Sequence, residues 1–365
     1  MKLTASREGL LTLLQAVIGV VERRQTMPIL ANVLVVAKDN QIAITATDLE
    51  VELVGTAEVN VEEPGEITVP ARKLLDICRA LPDDCQVSIQ QRGQKLLVSA
   101  NRSRFSLMTL PADEFPVVED MTTTQAVALS QEALGLLLDK THFSMAQQDV
   151  RYYLNGVLIE TKGGLVRAVA TDGHRLALCE VELEDRNTPE QQVIVPRKGV
   201  LELQRLLHGD GDVTIELGDN HLRVELSGIR FTSKLIDGRF PEYERVIPTD
   251  TDNSFLADRV TLRGALQRTA ILSNEKYRGI RLIIANGGLT LQAHNPEQEE
   301  AEEQVEVDYN GDEIEIGFNV NYLLDALAAI ESEQINFCVL DSNSSCLLRE
   351  PGKDNCKYVV MPMRL

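Results

Sequence analysis

Apolar positions along the chain fall into short segments of two kinds. Leu10, Leu14, Val17, Ile18 and Val21 recur at helical spacing and predict an amphipathic helix near the start, with Ser6 as its N-cap. Leu74, Ile77, Cys78 and Leu81 predict a second helix, and Leu262, Ala265, Leu266 and Thr269 another far downstream. Ser130 is placed to cap one more. Between the helices run alternating stretches such as 33–37 and 41–45, split by Lys38-Asp39-Asn40, which read as strands joined by a turn.

The order of these segments recurs, and a recurrence of this kind decides the fold before any motif does. Thr47-Asp48-Leu49-Glu50 is answered by Thr171-Asp172-Gly173-His174, and the 67–70 run ending in Pro70 by the 193–196 run ending in Pro196. Arg104-Phe105-Ser106 is answered by Arg230-Phe231-Thr232, and Phe115-Pro116 by Phe240-Pro241. A weaker third copy holds Ala293-His294-Asn295, Gly317-Phe318-Asn319 and Lys357-Tyr358 in the same order. The pattern predicts an α+β fold of three tandem repeats, each with two helices backed by antiparallel sheet and each with its own core. The repeats are expected over 1–124, 125–252 and 253–365, with the polar stretches 121–125 and 249–253 as linkers.

Composition narrows the function. Of 365 residues, 36 are Lys or Arg and 56 Asp or Glu, a net charge of −20, so a nucleic-acid role would have to rest on local basic surface. The longest apolar run, 10–21, is shorter than the roughly 18–20 residues of a membrane span and is followed by Glu22-Arg23-Arg24, so no membrane partner and no signal peptide are expected. The six cysteines include no C-x-x-C pair and are expected to be reduced in a cytoplasmic protein. No metal or other cofactor is implied. Phosphate-loop, dinucleotide and nucleophile-elbow signatures are missing. Asp210-Gly211-Asp212 and Asp250-Thr251-Asp252-Asn253 lack the rest of a calcium loop and read as solvated turns. Asp172-Gly173-His174-Arg175 alone looks enzymatic. With no nucleophile at a telling spacing it reads as a structural turn or pocket wall, and a hydrolase remains the alternative. A scaffold that does not bind DNA is a second alternative.

Basic residues are placed more tellingly. Arg72 and Arg79 lie opposite the apolar stripe of the second predicted helix, and Lys198 and Arg205 hold the same positions 126 residues on. A positive surface that contacts phosphates would use such a face. The third repeat has Asn321 and Ala328 there. Arg24, Gln148, Arg151, Tyr152 and Tyr153 add groups able to touch a nucleic-acid strand, whereas Glu297, Glu299, Glu300, Glu302 and Glu303 form an acidic run that reads as a solubilising edge or as a partner surface complementary to Arg102 and Arg104 of the first repeat in another copy.

Several longer motifs carry a resemblance. The 171–176 run Thr-Asp-Gly-His-Arg-Leu, Phe143-Ser144-Met145-Ala146 with 148–154, 195–199, the acidic 295–303 and the terminal 358–365 closely resemble the bacterial sliding clamps, the beta subunits of DNA polymerase III, over the whole chain and in order. The resemblance implies a ring-shaped head-to-tail homodimer that encircles duplex DNA and tethers the replicative polymerase subunit: a processivity factor of the polymerase holoenzyme and not an enzyme. Further implied partners are the clamp loader complex and other polymerases and repair proteins, all engaging through short peptides. DNA contacts map onto Arg24, Gln148, Tyr152 and Tyr153, with Lys198 and the other helix basics adding nonspecific attraction. The peptide pocket maps onto Leu154, Thr171, Gly173, His174, Arg175, Leu176, Pro241, Val246, Val359 and Met361. A neighbouring subsite maps onto Arg151, Tyr153, Asn319, Tyr322, Ser345, Pro362, Met363 and Arg364. The subunit interface maps onto Phe105, Leu107, Ile271 and Leu272, framed by Lys73, Arg102, Arg104 and the acidic run. Because the first repeat reads Leu49-Glu50-Val51 where the second has Gly-His-Arg, one pocket per subunit is expected.

Overall fold

The computed structural model describes residues 1–21, 27–118, 121–249 and 253–364. Six helices stand where the repeats require them: α1 (Arg7–Val17), α2 (Ala71–Ala80), α3 (Gln131–Asp139), α4 (Arg197–Leu206), α5 (Arg259–Thr269) and α6 (Val320–Ala329). Their starts are set by local chemistry. Ser6 Oγ accepts from Gly9 N at 3.1 Å, Asp258 Oδ1 from Thr261 N at 2.7 Å and Asn319 Oδ1 from Asn321 N at 2.9 Å, each satisfying an otherwise unpaired helix donor. Pro70 and Pro196 precede α2 and α4, where a missing N–H costs nothing. The first helix is shorter than its apolar stripe: it ends at Val17, and Ile18–Val20 continue as a 3-10 turn that still buries Val20. In the predicted hairpin, strands Asn32–Lys38 and Gln41–Thr47 are joined by Asp39 and Asn40, at φ of 52° and 57°, the left-handed pair a tight hairpin turn needs.

The strands pair across repeats. One eight-stranded antiparallel sheet runs from Thr123–Ser130 through the second repeat to Ile229–Lys234, which pairs with Val51–Glu58 of the first, Phe231 opposite Leu53. A second eight-stranded sheet runs from Gln191–Pro196 to Arg175–Glu182, which pairs with Cys356–Val360 of the third repeat, Ala177 opposite Tyr358. Contacts therefore group the chain into two compact units, Met1–Glu132 with Lys198–Leu235 and Ala133–Arg197 with Ile236–Leu365. The expectation of a separate core in every repeat is corrected: Leu158, Leu176 and Phe240 share one cluster with Cys338, Leu347 and Val359. The expected linker at 121–125 is also partly strand, since Thr123–Ser130 is the sheet's first member. Of the second linker, residues 250–252 lie outside the described residues.

Two smaller sheets end in unpaired strands. A five-stranded sheet in the first unit has Ser103–Met108 at its edge, and a four-stranded sheet in the second has Glu300–Glu306 at its edge. Among the described residues, no helix is long and apolar enough to cross a membrane.

Candidate functional site: a turn at the second seam

The repeated Thr-Asp motif is a hydrogen-bonded turn, built the same way twice. At 171–175, Thr171 Oγ1 donates to Arg175 O at 2.6 Å and accepts from Gly173 N at 3.1 Å; Asp172 Oδ1 accepts from His174 N at 2.9 Å and Arg175 N at 3.1 Å. At 47–51, Thr47 Oγ1 donates to Val51 O and accepts from Leu49 N, and Asp48 Oδ1 accepts from Glu50 N and Val51 N. The third residue is left-handed in both, Leu49 at φ 79° and Gly173 at φ 89°. A Cβ on Gly173 would come within 3.0 Å of the Arg151 guanidinium, whose Nη2 donates to Asp172 O at 3.3 Å, so glycine answers to crowding as well as to backbone conformation here.

This arrangement leaves Asp172 and His174 no shared chemistry. The carboxylate is occupied by two backbone N–H groups and by Arg175 Nε at 3.1 Å, and the exposed imidazole stacks on Tyr322 with centroids 6.4 Å apart. Arg175 is the hub: it ion-pairs with Asp325, donates to Phe143 O at 2.7 Å and lies 4.6 Å from the Tyr322 ring centroid. Burial pushes the Tyr322 hydroxyl up from its ordinary value. Arg151, exposed, is held by Asp149 through Nε at 3.1 Å and Nη2 at 2.9 Å, and that guanidinium holds the Asp149 carboxyl down at about 2.

The second unit brings most of the expected pocket residues together. Leu176 and Val359 share a core cluster against which Tyr153 and Val246 pack, and Met361 N donates to His174 O at 2.8 Å. Met363 N donates to Gly317 O, also at 2.8 Å, so the tail is pinned on both sides of Pro362. Leu154 and Thr171 are buried, Ser345, Met361, Pro362 and Met363 half-buried, and Pro241 and Arg364 exposed. Asn319 is spent on capping α6. Sequence reasoning missed Asp149, Asp325 and Phe143, the groups that orient the two arginines. Only Asp149, two residues from Arg151, had a local signal.

Other expected residues are placed differently from a free basic face. Arg205 donates to Gln15 O at 3.2 Å and Ala16 O at 2.6 Å at the end of α1, Arg72 donates to Val21 O at 3.0 Å, and Lys198 ion-pairs with the buried side chain of Asp48. In this structure all three are engaged within the chain. Arg79 is exposed with no side-chain partner among the described residues, Gln148 and Tyr152 are exposed, and Tyr153 is half-buried. Arg24 lies outside the described residues.

Of the expected interface residues, Ile271 is 73% exposed and Leu272 half-buried, Phe105 is half-buried, and Lys73, Arg102 and Arg104 are exposed. Leu107 is buried within its own unit, and Glu303 is held by Arg268 through two bonds of 2.6 and 2.7 Å. Glu297, Glu299, Glu300 and Glu302 are exposed.

Three tandem α+β repeats whose sheets run on from one repeat into the next define a clamp-type scaffold. Family models for the N-terminal, central and C-terminal domains of the DNA polymerase III beta subunit match residues 1–119, 128–242 and 244–364. The chain is 58% identical to the beta sliding clamp of Pseudomonas aeruginosa and 49% identical to that of Escherichia coli, each over the full length of both chains. A crystal structure of the Pseudomonas aeruginosa clamp bound to griselimycin superposes with a TM-score of 0.97, and that of the Caulobacter crescentus clamp, at 41% identity, with 0.95, both over all of each chain. The chain belongs to the DNA polymerase III beta subunit family, the bacterial beta sliding clamps. Its function is that of a DNA sliding clamp, which gives a polymerase processivity and catalyses nothing itself.

Proposed function

We propose that two copies close head to tail into a ring around duplex DNA in the cytoplasm, and that the turn at 171–175 with the C-terminal tail captures short peptides of the replicative polymerase subunit, the clamp loader complex and other polymerases and repair proteins. The register of the seams carries this reading. Phe231 stands opposite Leu53 at one seam, and Tyr358 opposite Ala177 at the other. Phe105 is their counterpart in the first repeat, and its strand is an open edge. Leu53, Ala177 and Ala301 are counterparts too, each lying opposite the alanine just before its repeat's turn, Ala46, Ala170 and Ala293. A third seam in the same register sets Phe105 against the partner subunit's Ala301 and Arg104 against the partner's Glu302. A head-to-tail contact used twice closes a ring and covers these two strand edges in each copy. Ile271 and Leu272 add apolar area beside it, so replacing both by alanine is expected to give monomers.

Encirclement needs little affinity, which fits a net charge of −20. Exposed Arg79, Gln148 and Tyr152 then offer only weak, sequence-independent contact. The decisive test replaces Phe105 and Ala301 by cysteine and oxidises the rings after loading on DNA. The expected result is a covalent dimer that stays on circular DNA at salt that strips it from linear DNA, and that is released when the circle is cut. Equal salt sensitivity on both templates would remove encirclement, and no cross-link between copies would remove the register. For the pocket, a short hydrophobic peptide read by fluorescence anisotropy distinguishes this site from any other.

A further inference from the structure

One pair of side chains at the second seam has no counterpart at the first. Cys179 and Cys356 face each other directly across strands Arg175–Glu182 and Cys356–Val360, with their sulfurs 2.7 Å apart. At the first seam the corresponding positions hold Gly55 and Ile229. Glu180 N donates to Asn355 O at 2.8 Å, so the ladder bond falls at the adjacent pair and the two cysteines occupy the alternate, non-hydrogen-bonded position. Such sites hold the Cα atoms at roughly 4.5 Å, inside the range of about 4.4–6.8 Å that a disulfide spans.

The two thiols are unequal. Cys179 is buried, and the hydrogen bond to Cys356 together with burial pushes its thiol up. Cys356 is half-buried; its bond with Cys179 and the charge of Lys140 draw its thiol below the ordinary value. Lys140 is itself buried, its Nζ donating to Ala329 O at 2.6 Å and ion-paired with Glu331, so the positive charge is fixed in place. The accessible sulfur is therefore the one with thiolate character, and the buried one stands directly behind it.

We propose that Cys179 and Cys356 are a reversible dithiol, and that a low-molecular-weight disulfide such as glutathione disulfide closes them into a bond stapling the second repeat to the third. In the first step the Cys356 thiolate attacks one sulfur of glutathione disulfide, that S–S bond breaks, and one glutathione leaves as a thiolate. In the second, Cys179 gives up its proton, its sulfur attacks Cys356 Sγ, and the second glutathione leaves. Two protein thiols are oxidised, one disulfide is reduced to two thiols, and the protons pass to the departing glutathiones. The staple lies on the strand that runs on through Val359 to Met361, the tail that bonds to His174. It would leave the edge strands of the proposed ring untouched.

The test incubates the full-length protein with glutathione disulfide and counts thiols after denaturation. Wild type is expected to lose two of its six thiols, with non-reducing peptide mapping joining 179 to 356 and dithiothreitol restoring both. The oxidised form should unfold at higher temperature, since the link closes a very long loop. Cys179→Ala lacks the resolving sulfur and should instead accumulate a glutathione adduct on Cys356, while Cys356→Ser should keep its remaining thiols. The adduct keeps the experiment decisive even if the buried variant is less stable, because it is read by mass. Six thiols surviving in wild type while a control dithiol oxidises, or a link between other cysteines, would overturn the proposal.

Discussion

The two seams share a backbone and differ in what it carries. At the first, the turn presents Leu49, Glu50 and Val51; at the second, Gly173, His174 and Arg175, on the same four hydrogen bonds. The strand that completes each seam also behaves alike: Lys234 N donates to Glu50 O at 2.8 Å, as Met361 N does to His174 O. At the first seam the chain continues, with Leu235 N bonded to Asn220 O, and the cavity there is about 260 Å³, lined by Thr47, Leu49, Pro116, Val117, Val118, His221 and Lys234. The repeat thus leaves a hollow beside the turn at the first seam. The turn comes from the fold, whereas the arginines and aromatic rings around it make the second seam's version chemically particular.

Removing the chain end tests that contrast most severely. Deleting residues 361–365 takes away the bonds of Met361 and Met363 and should abolish peptide capture and polymerase stimulation in a protein that still sediments as a dimer. Unchanged peptide affinity in the truncated dimer would mean that the second seam's turn and tail are not the capture site. Arg175→Leu comes next. It leaves Asp172 and Asp325 without their cation and the Tyr322 ring without the cation over its face, and should cost about 2–4 kcal/mol, read from the midpoint of urea unfolding. The figure is set below that of a fully buried pair because Asp325 is 45% exposed. A loss under about 1 kcal/mol would show that the arginine hub is a surface decoration.

How much of this could be read from sequence depends on the range of the interaction. The landmark repeats became a turn at Thr-Asp, a helix start at Val-Pro and a strand at Arg-Phe, because each is decided within a few residues. Free and engaged basic residues could not be told apart: Lys198 finds Asp48, and Arg205 finds Gln15 and Ala16, far away in the chain. The same holds for Cys179 with Cys356, and for Leu107, whose burial depends on sheet packing. Alternation also cannot show whether a strand is an edge, so the merging of sheets across repeats had no local signature.

A smaller effect concerns protons. Asp149 is half-buried and its partner Arg151 exposed, so their bond contributes little, but the sign is fixed. A carboxyl depressed in the folded state to about 2 from an ordinary 3.8 adds stability that is present above pH 3.8 and lost as pH falls towards 2. A carbon-detected titration of Asp149 should therefore show a midpoint near pH 2, moving up towards 3.8 in Arg151→Ala. A midpoint unmoved by that substitution would mean that Arg151 is not held over the turn.

The finest test swaps the left-handed residues. Gly173→Leu must place a Cβ 3.0 Å from the Arg151 guanidinium and adopt a conformation costing an L-residue roughly 1–2 kcal/mol, so stability should fall by about that much and peptide affinity at least about tenfold. Leu49→Gly is different, because three terms oppose one another. It removes a left-handed leucine's strain of roughly 1–2 kcal/mol, but adds about 0.5–1 kcal/mol of backbone entropy lost on folding. It also strips from the first cavity a side chain that is 39% exposed, and so gives up only part of the roughly 1.5–3 kcal/mol of a fully buried leucine. The sum should lie within about 1 kcal/mol of zero, with no effect on peptide affinity. If Leu49→Gly instead matched the cost of Gly173→Leu, the leucine would be serving the first seam as the arginine hub serves the second, and the two turns would be equal in function as well as in form.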